Sequence, residues 1–203
     1  MSKQMELGIE QVHKDEERTG GDAEKRLHNY IAKAKLLGAD QFEIDLKTSK
    51  LIMCNKKKWD TLVIPPVKCI RHNAFEEVKA KHIIIPDTVE FIEDCAFADA
   101  TTNELTILGN TKIRYKLGFK KLSRLNIGKN QEYIDALYDA QTIETLNYIN
   151  VETDNNYYKS INGIAYTKDM KQIITYPRAH KDKVYTMPNE VEDMFNQNRP
   201  LGM

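Results

Sequence analysis

Several things this chain has little of narrow its function. Glycine is scarce, nine residues in 203, and none of it forms a loop that would cradle phosphate. No Ser-His-Asp order and no carboxylate cluster at motif spacing is present. Cys54, Cys69 and Cys95 are the only cysteines, an odd number. Cys69 and His72 have C-x-x-H spacing, and His82 and Cys95 follow, but a zinc site needs four converging ligands. Cys69 aligns with Phe91 near the interior, where a free thiol behaves as a small hydrophobe. The sequence thus gives no catalytic residue, no metal site and no cofactor, and a non-enzymatic protein is expected. No apolar run approaches the ~20 residues of a membrane span. Thirty basic and thirty acidic residues cancel, so overall charge implies no partner. The first eighteen residues are charged and lack the apolar centre of a secretory signal. A cytoplasmic location is expected. The alternative is a secreted or cell-surface protein whose signal has been removed.

What the chain does have is a repeat. Leu62–Phe75 reads LVIPPVKCIRHNAF and Ile83–Phe97 reads IIIPDTVEFIEDCAF. Phe75 to Phe97 is 22 residues, and Phe119 lies another 22 on, closing the looser copy LTILGNTKIRYKLGF. A fixed period of this length marks a solenoid, in which each rung buries itself against the next. In Leu62-Val63-Ile64, Ile83-Ile84-Ile85 and Leu105-Thr106-Ile107 the outer two residues point inward and the middle one outward. Pro65 and Pro86 end the strands, because proline cannot donate to a ladder. Val67/Val89, Ile70/Ile92 and the phenylalanines fill the return path, the last on a short helical turn.

The expected organisation follows along the chain. Residues 1–21 are expected to form a mobile segment, with a short helix at 6–12 as the alternative there. Residues 22–40 hold a helix over 23–37, N-capped by Asp22 and ended at Gly38, that covers the open first rung. A hairpin occupies 41–58, where Phe42, Ile44 and Leu46 alternate with polar residues. The solenoid fills 59–203. It includes degenerate strands at Leu125–Ile127 and 146–151, a hairpin insertion near 160–177, and an incomplete last rung from Tyr185-Thr186-Met187-Pro188. That last rung leaves an end through which copies or partners could associate.

The two clear rungs resemble the BspA-like class of leucine-rich repeats. Asn155–Met194 is similar to the hairpin insertion of that class, although Asn162 and Met170 stand where Asp and Gly are usual. The resemblance implies a mostly β solenoid, a right-handed coil of short parallel strands with an N-terminal capping helix and two β-hairpins. It also implies a binding protein without shared catalytic residues.

Two surfaces are candidates. The first is the outward row Val63, Ile84, Thr106, Asn126 and Thr186, flanked by Thr61, His82, Glu104 and Arg124. It suits a protein or peptide partner, since the sheet face is the usual contact surface of solenoids. The second is a basic rung. Residues 105–131 carry Lys112, Arg114, Lys116, Lys120, Lys121, Arg124 and Lys129 and no acid. Acidic rungs flank it on both sides. Glu90 to Lys112 and Asp94 to Lys116 are each one repeat apart, so the simplest expectation is ion pairing between rungs. The alternative, anion or nucleic-acid binding, is opposed by those acids, which screen the field within a Debye length of ~8–10 Å.

Overall fold

The computed structural model describes residues 23–36, 41–182 and 184–194. Two parallel ladders run its length. The long strands are β3 (Lys58–Val63), β5 (Lys79–Ile85), β7 (Thr101–Ile107), β9 (Lys121–Ile127) and β10 (Tyr148–Val151), paired in that order. The short strands of the return path are β4 (Cys69–Ile70), β6 (Phe91–Ile92) and β8 (Lys112–Ile113). This is a β-solenoid of about five turns. The predicted hairpin is β1 (Phe42–Asp45) and β2 (Lys50–Cys54). Its second strand joins the short ladder, with Lys50 opposite Cys69 and Leu51 opposite Ile70.

Inward and outward positions fall where alternation puts them. Leu62, Ile64, Ile83, Ile85, Leu105 and Ile107 are fully buried, while Val63, Ile84 and Thr106 face outward. Phe75, Phe97 and Phe119 stack ring on ring, with centroids 4.9 and 4.8 Å apart. Offset aromatic contacts of this kind add about 0.5–1.5 kcal/mol beyond burial. The corner carrying these rings is a turn rather than the expected helical turn. Asn73 and Cys95 take positive φ there, 58° and 53°, and so do Glu77 and Asp99, each four residues on.

Gly128 stands where the strand-ending proline would recur, and Gly109 stands one position past it, after Leu108. A Cβ on Gly109 would lie 2.7 Å from the Asp87 backbone, and one on Gly128 would lie 2.8 Å from the Leu108 carbonyl. The rungs approach so closely at this corner that a side chain there is excluded. The third rung is also one residue shorter before its short strand. Ile92 pairs with Ile113, 21 residues on, and the missing residue is restored before Phe119.

The fourth rung lacks a short strand. Helix α2 (Asp135–Ala140) takes its place, and the helix's carboxylates bond the return path of the third rung at β8 and just beyond it. Asp135 Oδ2 accepts the Ile113 N–H at 3.2 Å and Asp139 Oδ2 the Leu117 N–H at 2.9 Å. Positions four apart share one helix face, which lets both reach the same edge. The Gln131 side chain continues the imitation. It accepts the Thr111 N–H at 2.9 Å and donates to the Thr111 and Tyr133 carbonyls. Asn155, fully buried, accepts the amides of Tyr157 and Tyr158 and donates to the carbonyls of Gly128 and Gln131.

After β10 the chain builds a separate sheet of β11 (Tyr158–Ile161), β12 (Ile164–Thr167), β13 (Gln172–Thr175) and β14 (Asp193–Met194). The β12–β13 pair is the predicted insertion hairpin, while β11 was not expected from the sequence. The strand expected at 185–187 does not form. The outer side of β10 is already taken, with the Ile149 N–H donating to the Gly163 carbonyl at 3.0 Å. Tyr185 turns instead toward a second cluster of Ile164, Tyr166, Met170, Ile173 and Val191, where its hydroxyl meets that of Tyr166. Asn162 and Met170 both adopt positive φ, 52° and 66°, at the two positions where the repeat class uses Asp and Gly.

Helix α1 spans Ala23–Leu36. Leu27 enters the main core, and Arg26 pairs with Asp87 at 3.0 Å, in the turn of the second rung. The expected segment 1–21, its helix at 6–12, and the caps Asp22 and Gly38 lie outside the described residues.

Candidate functional site

The outward row is in register. Val63 stands opposite Ile84, Ile84 opposite Thr106, Thr106 opposite Asn126 and Asn126 opposite Asn150. Asn150 is the fifth member, and Thr186 is not part of the row because no strand forms around it. A second row runs beside the first: Thr61, His82, Glu104, Arg124 and Tyr148. Asn150 and Tyr148 were missed by sequence reasoning, although the strand carrying them was read. Continuing the register to the residue on either side of Ile149 would have found both.

The second row is a connected chain of polar contacts. Glu104 sits between two partners, hydrogen-bonded to His82 Nδ1 at 3.1 Å and ion-paired with Arg124 Nε at 3.4 Å. The Arg124 guanidinium lies over the Tyr148 ring, 4.4 Å from its centroid. One step outward, Lys81 meets Asp60 at 2.8 Å, and that carboxylate raises the lysine's pKa. In the first row, Asn126 Nδ2 donates to Thr106 Oγ1 at 3.2 Å. The face therefore grades along the solenoid, from aliphatic at Val63 and Ile84 to hydroxyl and amide at Thr106, Asn126 and Asn150. The side chains at its centre are held before any partner arrives.

The basic rung is divided among surfaces. Lys112, Arg114 and Lys116 are exposed on the return path, Lys120 and Lys121 lie at the following corner, Arg124 belongs to the strand face, and Lys129 sits in the turn beyond β9. The expected ladder of ion pairs with the acidic rung does not form. Glu90 approaches Lys68 instead, at 3.8 Å, and Glu93 pairs with Lys50 at 2.9 Å. Register explains the difference: the short third rung sets Lys112 opposite Phe91 rather than Glu90.

The thiols show no sign of activation. Burial pushes Cys54 up to about 11 and raises Cys69 and Cys95 as well. A reactive or metal-binding cysteine needs the opposite shift. Among the described residues, no group of three His, Cys, Asp or Glu side chains is placed to hold a metal ion. No helix among them is long and apolar enough to cross a membrane.

Comparison with known proteins agrees with this architecture. No curated protein matches the chain. Two solved structures resemble it weakly. One is a leucine-rich repeat protein from Eubacterium ventriosum, 19% identical, with a TM-score of 0.43, covering 64% of this chain and 44% of that one. The other is the pneumococcal vaccine antigen PcpA, 22% identical, with a TM-score of 0.43, covering 67% of this chain and 40% of that one. The chain thus spans less than half the length of either. A BspA-type leucine-rich repeat region with six copies matches residues 52–174. That match takes in every rung from the first hairpin to β13, and the chain belongs to the BspA-type leucine-rich repeat family.

Proposed function

We propose that the protein is a non-enzymatic scaffold that holds a protein or peptide partner against its outward strand face. Repeat proteins of this family are commonly interaction scaffolds. The observation that carries the reading is the preset row His82–Glu104–Arg124–Tyr148 beside the aliphatic pair Val63 and Ile84. Side chains already fixed by neighbours lose less freedom on binding, about 0.5–1.5 kcal/mol less for each rotamer-rich group. Arg and Tyr are also the residue types that dominate binding hot spots. A partner would lay an apolar side chain over Val63 and Ile84 and exchange hydrogen bonds with Thr106, Asn126 and Asn150.

The test is capture of partners from native lysate by the wild-type chain and by the double variant Ile84→Asp, Thr106→Arg. Capture should disappear while the unfolding midpoint stays close to wild type, because outward substitutions usually move stability by only about 0.5 kcal/mol. Capture that survives in the double variant sinks the reading. A second reading, end-on association, is favoured by β14, which lies at the outside of its sheet and pairs only with β13 among the described residues. Deleting 189–203 would then abolish association and leave strand-face capture intact.

A further inference from the structure

The return side of the third rung carries a second surface with different chemistry. Lys112 and Arg114 flank the buried Ile113, so both point away from the core. Each lies by an exposed ring: Lys112 Nζ is 5.7 Å from the Tyr133 centroid, and the Arg114 guanidinium is 5.8 Å from that of Tyr115. Tyr115 is 65% exposed, the most of any aromatic residue on the described surface, and Lys116 follows it directly. The strip Tyr133–Lys112–Arg114–Tyr115–Lys116 thus sets two flat rings among three cations.

Its cations are not spent on neighbouring acids. Among the described residues, none of Lys112, Arg114, Lys116, Lys120 and Lys121 forms an ion pair. Of the acids nearby, two are paired with other cations, two are tied to backbone amides, and Asp94 stands one repeat from Lys116 without an ion pair among the described residues. Glu90 and Glu93 have their own lysines, and Asp135 and Asp139 accept backbone amides of the basic rung itself. Glu132 receives a long 3.4 Å hydrogen bond from Asn110. Three cations, Lys112, Arg114 and Lys116, therefore share the return side, with Lys120 and Lys121 at the following corner and no acid in the sequence between residues 105 and 131.

We infer that this strip binds single-stranded nucleic acid. Unpaired bases offer flat faces for Tyr115 and Tyr133, and the backbone offers a phosphate to each cation. Grooves that hold single strands combine these two elements. An acidic peptide would use the cations and leave the rings without a function. The inference is independent of the strand face, which lies on the long ladder.

The experiment uses the full chain and a fluorescent oligothymidylate, read by anisotropy across a salt series, with polyglutamate as a competitor of equal charge. Binding at low salt should weaken steeply with salt, with a log–log slope of about −2 to −3.5 for three to five phosphate contacts. Lys112→Glu with Lys116→Glu should remove binding at moderate salt and flatten the slope. Tyr115→Ala should weaken binding about 5- to 100-fold with the slope unchanged. Ile84→Asp with Thr106→Arg should change nothing, which separates this surface from the strand face. No binding at low salt overturns the inference. So does competition by polyglutamate at matched charge with Tyr115→Ala indistinguishable from wild type, since that would mark a charge-only site for acidic protein segments.

Discussion

The second and fourth rungs close the same circuit with different materials. In the second, the return path is Val89, Ile92, Ala96 and Phe97, all fully buried, and its ladder is made by backbone groups. In the fourth, Gln131, Asp135, Asp139 and Asn155 supply the hydrogen bonds from their side chains. The second rung rests on apolar burial and ring stacking, which tolerate small shifts. The fourth rests on directed bonds in a dry environment, where one missing partner leaves a buried group unsatisfied. The same fold position can therefore be filled by either solution, but the two fail differently.

The strongest test of the apolar half is Phe97→Ala, at the centre of the three-ring stack. It should cost about 3–5 kcal/mol, measured by chemical denaturation, because two rings lose their shared neighbour and a cavity remains. Asn155→Ala probes the polar half. It leaves two amides and two carbonyls without their partner, three of these bonds being buried, and should cost about 2–4 kcal/mol. Compensation by water would shrink this loss, and a value below that of an exposed substitution would remove the distinction between the rungs.

A pH series sharpens the comparison further. Burial raises the Asp139 pKa from 3.8 to about 6, overcoming the opposing pull of the Leu117 amide and Thr142. A carboxyl raised on folding is most favourable while protonated. Its stabilisation is complete below the unfolded value near 3.8 and is lost as pH rises through about 6. The wild-type chain should lose up to about 3 kcal/mol from this group between pH 4 and 8, and Asp139→Asn should flatten that part of the profile. No comparable slope should come from the second rung, whose return path has no buried carboxyl of this kind. An unchanged profile in the variant would mean that the helix edge is wetter than its 4% exposure indicates. The smallest effect belongs to Glu104→Gln on the strand face. Its two partners are exposed, so the loss should stay below about 1 kcal/mol even though partner capture weakens.

How much of this was legible in the sequence depended on what kind of residue did the work. Phe75, Phe97 and Phe119 announce themselves by equal spacing, and so do the inward strand positions, because apolar periodicity records burial directly. The row Val63, Ile84, Thr106 and Asn126 followed from the same arithmetic. Ile113 did not, since a one-residue deletion is invisible when Phe119 restores the count. The charge ladder failed for the same reason, with Lys112 displaced from Glu90. The polar fourth rung was opaque because Gln131, Asp135, Asp139 and Asn155 look like surface residues in any composition-based reading. Only their partners show that they are interior. Thr186 was misplaced because Pro188 imitates a strand end, and nothing local reveals that the neighbouring ladder is already closed.

The hairpin β12–β13 has a consequence for how such arrays can be extended. Ala165 and Ile174 belong to the main core, while Ile164, Tyr166 and Ile173, their immediate neighbours, belong to the second cluster. The first hairpin is one-sided, with Glu43 and Met53 turned to solvent. A two-stranded partition with oil on both faces behaves as a splice. It lets one stack give way to another without opening either interior to water.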